Sequence, residues 1–163
     1  MNIFVLDREP SVAVTMLCDA HVRKMCLETA QILSGVMIRN GIKLADGMPR
    51  PQNVNHPVIK AVDTPQKTNW LLLYNYSLNF EYLRRFRKPH AYDKLADSYC
   101  QELCTPSGNK QCDTLAKCCG NLDVSGLDTV TAYRQYYTQV KKPDLMAKGL
   151  WKFSGREDWT NAL

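Results

Sequence analysis

The chain has 163 residues, 45% hydrophobic and 23% charged, enough for one domain with a buried core. No apolar run approaches the roughly 20 residues of a membrane span, and residues 1–7 are apolar but short, lack a basic leader and meet an acid at Asp7, which argues against a secretory signal and against a membrane partner and points to a cytoplasmic protein. A formal net charge of +5 is compatible with a nucleic-acid partner without establishing one.

In chain order, residues 3–6 suit a short strand or an apolar arm. Glu9-Pro10-Ser11 forms a turn and helix start, since proline is tolerated in a first turn. The first long helix runs from residue 11 or 19 to 38, and Gly41 supplies its left-handed cap. Within it His21, Lys24, Glu28 and Gln31 fall at spacings of three, four and three, so they share one helix face. Val22, Met25, Cys26, Thr29, Ile32, Leu33 and Val36 fall on the other. An imidazole, an ammonium, a carboxylate and an amide in a row can move protons, form a Schiff base or grip a polar substrate. The plainer alternative is a solvated face with an ordinary Lys-to-Glu pair.

Residues 45–57, rich in Pro, Gly and Asn, predict an irregular loop. A short helix follows over 57–62 and ends at Asp63-Thr64-Pro65. A long one spans 66–87, with Trp70, Leu71, Leu73, Tyr74, Leu78, Tyr82 and Phe86 as its buried side. Lys88-Pro89-His90 closes it, and another helix covers 91–104. Residues 105–126 are loop-rich, 129–141 are helical, and the tail from 151 to 159 is aromatic, basic and irregular. The sum is a mainly α, compact, single-domain helical bundle with long irregular loops, 1–163; nothing in the pattern fixes an oligomeric state.

Seven cysteines are many for a reducing compartment. Cys18 and Cys26 suit small buried positions. Cys100, Cys104, Cys112, Cys118 and Cys119 are spaced C-x3-C-x7-C-x5-C-C, which is no paired CxxC arrangement, so free thiols are expected over zinc or a disulfide. The three histidines, His21, His56 and His90, are not paired within one helical turn and do not demand a metal. No metal or other cofactor is therefore expected. Arg84, Arg85, Arg87 and Lys88 form a basic cluster that suits either phosphate or a helix C-terminus. In the tail, Trp151, Lys152, Phe153 and Arg156 interleave aromatics with cations, as a base-stacking, phosphate-contacting segment does, or as an arm packed on the domain does.

Three of these segments together resemble the phage pyrimidine-dimer DNA glycosylase family of the endonuclease V type. Leu17, Asp19, His21 and Glu28 keep the register of its Leu-x-Asp-x-His segment and following glutamate. Lys67-Thr68-Asn69-Trp70-Leu71 resembles its Lys-x-x-aromatic-Leu helix opening, and 151–156 its aromatic-Lys-aromatic-x-Gly-Lys ending, in the same order. About a third of the chain is anchored in this way. The resemblance implies a compact helical domain whose N-terminus lies near Glu28. It also implies an N-terminal α-amine, on Met1 or Asn2, that attacks the sugar C1′ while the glutamate assists glycosidic cleavage and strand scission. An α-amine with a pKa near 8 is partly unprotonated at neutral pH. The chain departs from the pattern where the family exposes a small residue after losing Met1, since Asn2 stands there. Leu27 and Gln31 stand in place of phosphate-contacting arginines, with Arg23 and Lys24 one turn earlier.

The expected function is a phage enzyme acting on DNA or a nucleotide at a base or its glycosidic bond, glycosylase/lyase-like or base-modifying, in the cytoplasm of an infected bacterium. Glu28 is its expected acid/base, His21 an orienting or phosphate-binding group, Lys24 a phosphate ligand or alternative amine. Arg23, Gln31, His56, His90, Arg84, Arg85, Trp151 and Lys152 are its expected substrate contacts. The alternatives are a non-catalytic phage accessory protein binding nucleic acid or a host protein, and a small zinc-stabilised module.

Overall fold

The computed structural model describes residues 1–106, 110 and 112–162, and the remainder of the predicted 105–126 loop lies outside the described residues. Among the described residues seven α-helices carry the fold: α1 (Pro10–Thr15), α2 (Asp19–Arg39), α3 (Pro57–Ala61), α4 (Pro65–Phe86), α5 (Ala96–Leu103), α6 (Thr129–Tyr136) and α7 (Lys142–Ala147). No strand occurs among the described residues, and the fold is mainly α.

The two long helices, α2 and α4, pack against each other, and α1, α3 and α5 pack around them. α4 starts where Thr64 Oγ1 accepts from Lys67 N at 3.4 Å, with Pro65 in the first turn. It ends at Arg87, whose φ of 57° breaks the helix while its N–H still reaches Leu83 O. Its buried side carries Trp70, Leu71, Tyr74 and Leu78, as the apolar spacing predicts.

Residues 3–6 are an extended arm and not a strand. Ile3, Phe4, Val5 and Leu6 are all buried. Side chains take the place of a sheet partner: Tyr74 Oη donates to Phe4 O at 3.2 Å and Arg134 Nε to Leu6 O at 2.7 Å. Buried backbone groups need such partners. The arm threads through the core and so fixes where residues 1 and 2 emerge.

Of the two predicted starts for the first long helix, 19 is the one observed, and residue 11 belongs to a separate short helix because Arg85 interrupts the chain between them. The Arg85 side chain is fully buried. Its guanidinium donates to Thr15 O at 3.1 Å and Leu17 O at 2.7 Å, and pairs with Asp19 at 3.0 Å and Glu81 at 2.7 Å. The carbonyls of residues 15 and 17 therefore face a side chain, Cys18 turns extended, and α2 begins at Asp19. The tail straps this junction. Asp19 N donates to Lys152 O at 2.7 Å, Ser154 N to Asp19 Oδ1 at 2.9 Å, and Trp159 Nε1 to Met16 O at 2.7 Å.

In the C-terminal part α6 is capped by Asp128, which accepts from Val130 N and Thr131 N. It widens into a π-turn over Tyr137–Lys141 and continues as α7. The helical stretch extends past the predicted end at 141. Pro143 lies in the first turn of α7, where it needs no N–H partner. Among the described residues no helix is long and apolar enough to cross a membrane.

Candidate functional site

Glu28 is half-buried on α2 and gathers nitrogen groups from two parts of the chain. Lys24, one turn earlier, brings its Nζ to 3.3 Å from Oε1. The arm brings the Met1 α-amine to 3.8 Å from Oε1 and the Asn2 N–H to 3.1 Å from Oε2. Two amines and an amide N–H thus converge on one carboxylate.

The arm's end is held rigidly. Asn2 Nδ2 donates to Cys118 O at 2.9 Å, and Asn2 Oδ1 accepts from Tyr133 Oη at 2.9 Å and from Ile3 N at 2.8 Å. Burial holds the Tyr133 phenol far above its usual range, so it keeps its one proton, for which Asn2 Oδ1 at 2.9 Å and Ala116 O at 2.8 Å compete. Each polar atom of the Asn2 side chain has a partner, and this determines the direction in which the chain leaves for Met1.

A second wall comes from the loop before α3. Gln31 Nε2 donates to Arg50 O at 3.3 Å, drawing the loop across the Glu28 face of α2. Gly35, seven residues after Glu28 and so on the same face, lets α3 lie close. A Cβ added there would stand 2.5 Å from Ile59 Cδ1. His56 caps α3, its Nδ1 accepting from Val58 N at 3.3 Å, which leaves the proton on Nε2. Burial lowers the pKa of His56; the N-terminal ammonium lowers it further, and Glu28 opposes. His56 therefore belongs to the electrostatic neighbourhood of the amine and Glu28.

His21 does not share the exposed face with Lys24 and Glu28. It is 6% exposed, its ring lies 4.5 Å from Phe4, and its Nδ1 is 2.9 Å from Tyr137 Oη. Tyr137 Oη also accepts from Cys18 N at 2.8 Å, so its proton points to His21 Nδ1. Burial, and then Lys141 and Lys24, push His21 down to about 3. It is a neutral core imidazole that positions Phe4 and the arm. His90 is turned into an aromatic corner, its ring against Tyr82 and Tyr92 and its Nδ1 accepting from Tyr92 N. None of these is a residue around Glu28.

The predicted basic cluster is divided. Arg85 is the buried hub described above, and Arg84 forks onto Glu81 with two 2.8 Å bonds. Their guanidiniums pull Glu81 down to about 2, against the effect of its burial. Trp151 is folded down, its Nε1 donating to Asp158 at 2.7 Å and its ring 5.3 Å from both Tyr137 and Phe153. Lys152 stays exposed and meets Arg23 across a cleft of about 240 Å³ that Ser154 and Asp19 also line. Arg23 lies over the Phe86 ring at 4.3 Å. It precedes Glu28 by five residues, about 140° around α2, so this cleft opens on a different face of the helix from Glu28.

Tyr133, Arg50 and the backbone of Cys118 shape the site through hydrogen bonds; nothing in the sequence marks out the first two, and Cys118 stood out there for its thiol, not its carbonyl. The five clustered cysteines are free. Among the described residues no group of three or more His, Cys, Asp or Glu is placed to hold a metal ion. The chain matches no protein-family model, no curated protein and no solved structure.

Proposed function

We propose that the protein is an enzyme acting on DNA or a nucleotide at a base or its glycosidic bond, through an imine formed on an amine beside Glu28. The observation that carries this reading is the convergence of the Met1 α-amine and Lys24 Nζ, at 3.8 and 3.3 Å, on one half-buried carboxylate. Such an arrangement suits imine chemistry because a carboxylate can both stabilise the cationic intermediate and move protons. The resemblance in Leu17, Asp19, His21 and Glu28 supports the same reading, and so does the arm that brings residue 1 to Glu28.

In the proposed sequence the unprotonated amine attacks C1′ of a deoxyribose. The C1′–N bond breaks, and the base leaves with the electron pair and takes the proton released by the amine, relayed by Glu28. The C1′–O4′ bond then opens with protonation of O4′, giving a C1′=N imine. Removal of the C2′ proton by Glu28 expels the 3′ phosphate, and hydrolysis of the imine frees the amine. Asn2 and Tyr133 hold the Met1 amine in line, and His56 offers a neutral Nε2–H at the rim. Arg23 and Lys152, across their own cleft on another face of α2, serve as phosphate contacts away from the reacting sugar.

Glu28→Gln keeps the size of the side chain and removes the proton acceptor. On an abasic-site oligonucleotide it should lower single-turnover strand scission by about 10²- to 10⁴-fold while leaving the circular dichroism spectrum and oligonucleotide affinity unchanged. Scission at the wild-type rate in this variant would refute the assignment. A wild-type protein that binds the oligonucleotide and never cuts it would indicate a non-catalytic nucleic-acid binder.

A further inference from the structure

On the side of α4 away from the core, four apolar side chains remain uncovered. Phe80 is 70% exposed, and Tyr76, Leu83 and Val12 of α1 are 40–45% exposed. Tyr76, Phe80 and Leu83 follow at i, i+4 and i+7, one stripe of the helix. Most helical stripes of this kind face a core, whereas this one borders an open groove of about 340 Å³ between α1 and α4. Val14, Ser77 and Phe80 line it, and Arg156 from the tail closes one end.

The rim at that end is cationic. Arg84 and Arg156 hold Glu81, which itself lines the groove, while Arg85 pairs with Glu81 and Asp19 in the buried layer beneath. Arg87 and Lys88 follow at the helix end, both exposed, with no ion pair among the described residues. At the opposite end Tyr76 Oη donates to Asp97, so the groove is polarised, with positive charge at the Arg156 end. The tail links the two surfaces: Lys152 borders the Arg23 cleft and Arg156, four residues on, borders this groove.

We infer that this groove binds a single-stranded nucleic-acid segment, with a base stacked on Phe80 and its neighbouring phosphates on Arg156, Arg84 and Arg87. The volume is at the small end of ligand sites, about 300 Å³. It suits one base better than the apolar face of a partner helix, and the adjacent cations call for an anionic guest. Aromatic rings beside arginines are the usual platform for unpaired bases, because every base offers a π-face. The inference rests on the nucleic-acid part of the proposed function and is independent of imine chemistry at Glu28.

The test is fluorescence anisotropy with a labelled oligodeoxythymidylate across a salt series, alongside scission of a duplex abasic-site substrate. Phe80→Ala removes an exposed ring and leaves the core intact. It should weaken oligonucleotide binding about tenfold and leave duplex scission unchanged. Arg156→Ala should reduce the slope of log affinity against log salt by about 0.7, the amount set by one phosphate that is no longer neutralised. Wild-type affinity in Phe80→Ala would overturn the groove assignment while leaving the proposed function standing. Scission without any oligonucleotide binding would do the same. Loss of scission in Glu28→Gln with normal Phe80-dependent binding would support both. If Phe80→Ala instead turned a dimer into a monomer in sedimentation, the groove would be a contact between two copies and the inference would fail.

Discussion

Glu28 and His21 lie seven residues apart on α2 and have opposite surroundings. Glu28 faces two amines and an amide N–H, whereas His21 faces Phe4 and the Tyr137 hydroxyl. Burial holds His21 neutral down to about pH 3, so it takes no proton where the unfolded chain, with a histidine pKa near 6.5, does. The unfolded state binds more protons in that window, so His21 lowers stability progressively as pH falls from about 6.5 to about 3. Glu81, held down to about 2, adds stability above the ordinary carboxylate range that is lost as pH drops from about 4.5 to about 2. Urea unfolding at stepped pH should therefore show stability decreasing below pH 6.5, with a slope of up to about 1.4 kcal/mol per pH unit for the His21 proton. The decrease between pH 6.5 and 5 should become shallower in His21→Gln, the remainder coming from His56 and His90, whose pKa values burial also lowers. An unchanged slope in that variant would contradict the core placement. The His21–Glu28 register was legible in the sequence, yet the direction of His21 was not. Helical spacing assigns residues to a face, and the Phe4 arm, which is distant in sequence, decides which part of that face is covered.

At the scale of elements, the α1–α2 junction depends on one buried guanidinium. Arg85 satisfies two carbonyls and two carboxylates at once, and Asp19 in turn holds the tail through Ser154. Arg85→Ala would leave the buried Glu81 and Asp19 with one neutralising partner fewer. It should cost about 3–5 kcal/mol in chemical denaturation and loosen the tail, seen as faster amide exchange at residues 152–156. A loss below 1 kcal/mol would contradict its role as the hub. The helices themselves were largely readable from sequence, because Pro57, Pro65 and the apolar spacing of 70–78 mark starts and buried sides directly. The sequence offered 11 and 19 as starts without choosing between them and did not show the continuation through Pro143, since the choice at 16–18 depends on Arg85, distant in the chain. Arg85 stood within a run of basic residues that in composition looks like a phosphate patch. Its burial is decided by carboxylates at Glu81, one turn earlier, and at Asp19, 66 residues away.

For the whole molecule, the arm, α2 and the loop before α3 meet around Glu28, and the tail straps the α1–α2 junction. The arm brings an amine to Glu28, Gln31 and Gly35 allow the loop and α3 to close beside it, and Lys152 faces Arg23 one cleft away. Of the residues marked out in the sequence, Met1, Asn2, Lys24, Glu28 and His56 come together and Gln31 anchors their wall. Arg23 and Lys152 share a separate cleft, while His21, His90, Arg85 and Trp151 are held elsewhere by packing. The proposed imine chemistry requires that an amine in this cluster react with an aldehydic sugar. The direct measurement is borohydride trapping on abasic-site DNA, with mass-spectrometric mapping of the adduct. The account expects a covalent adduct on the Met1 amine or on Lys24, one that persists in Glu28→Gln because the imine forms before the C2′ proton is removed. No adduct, or one mapping to a lysine remote from Glu28, would contradict it.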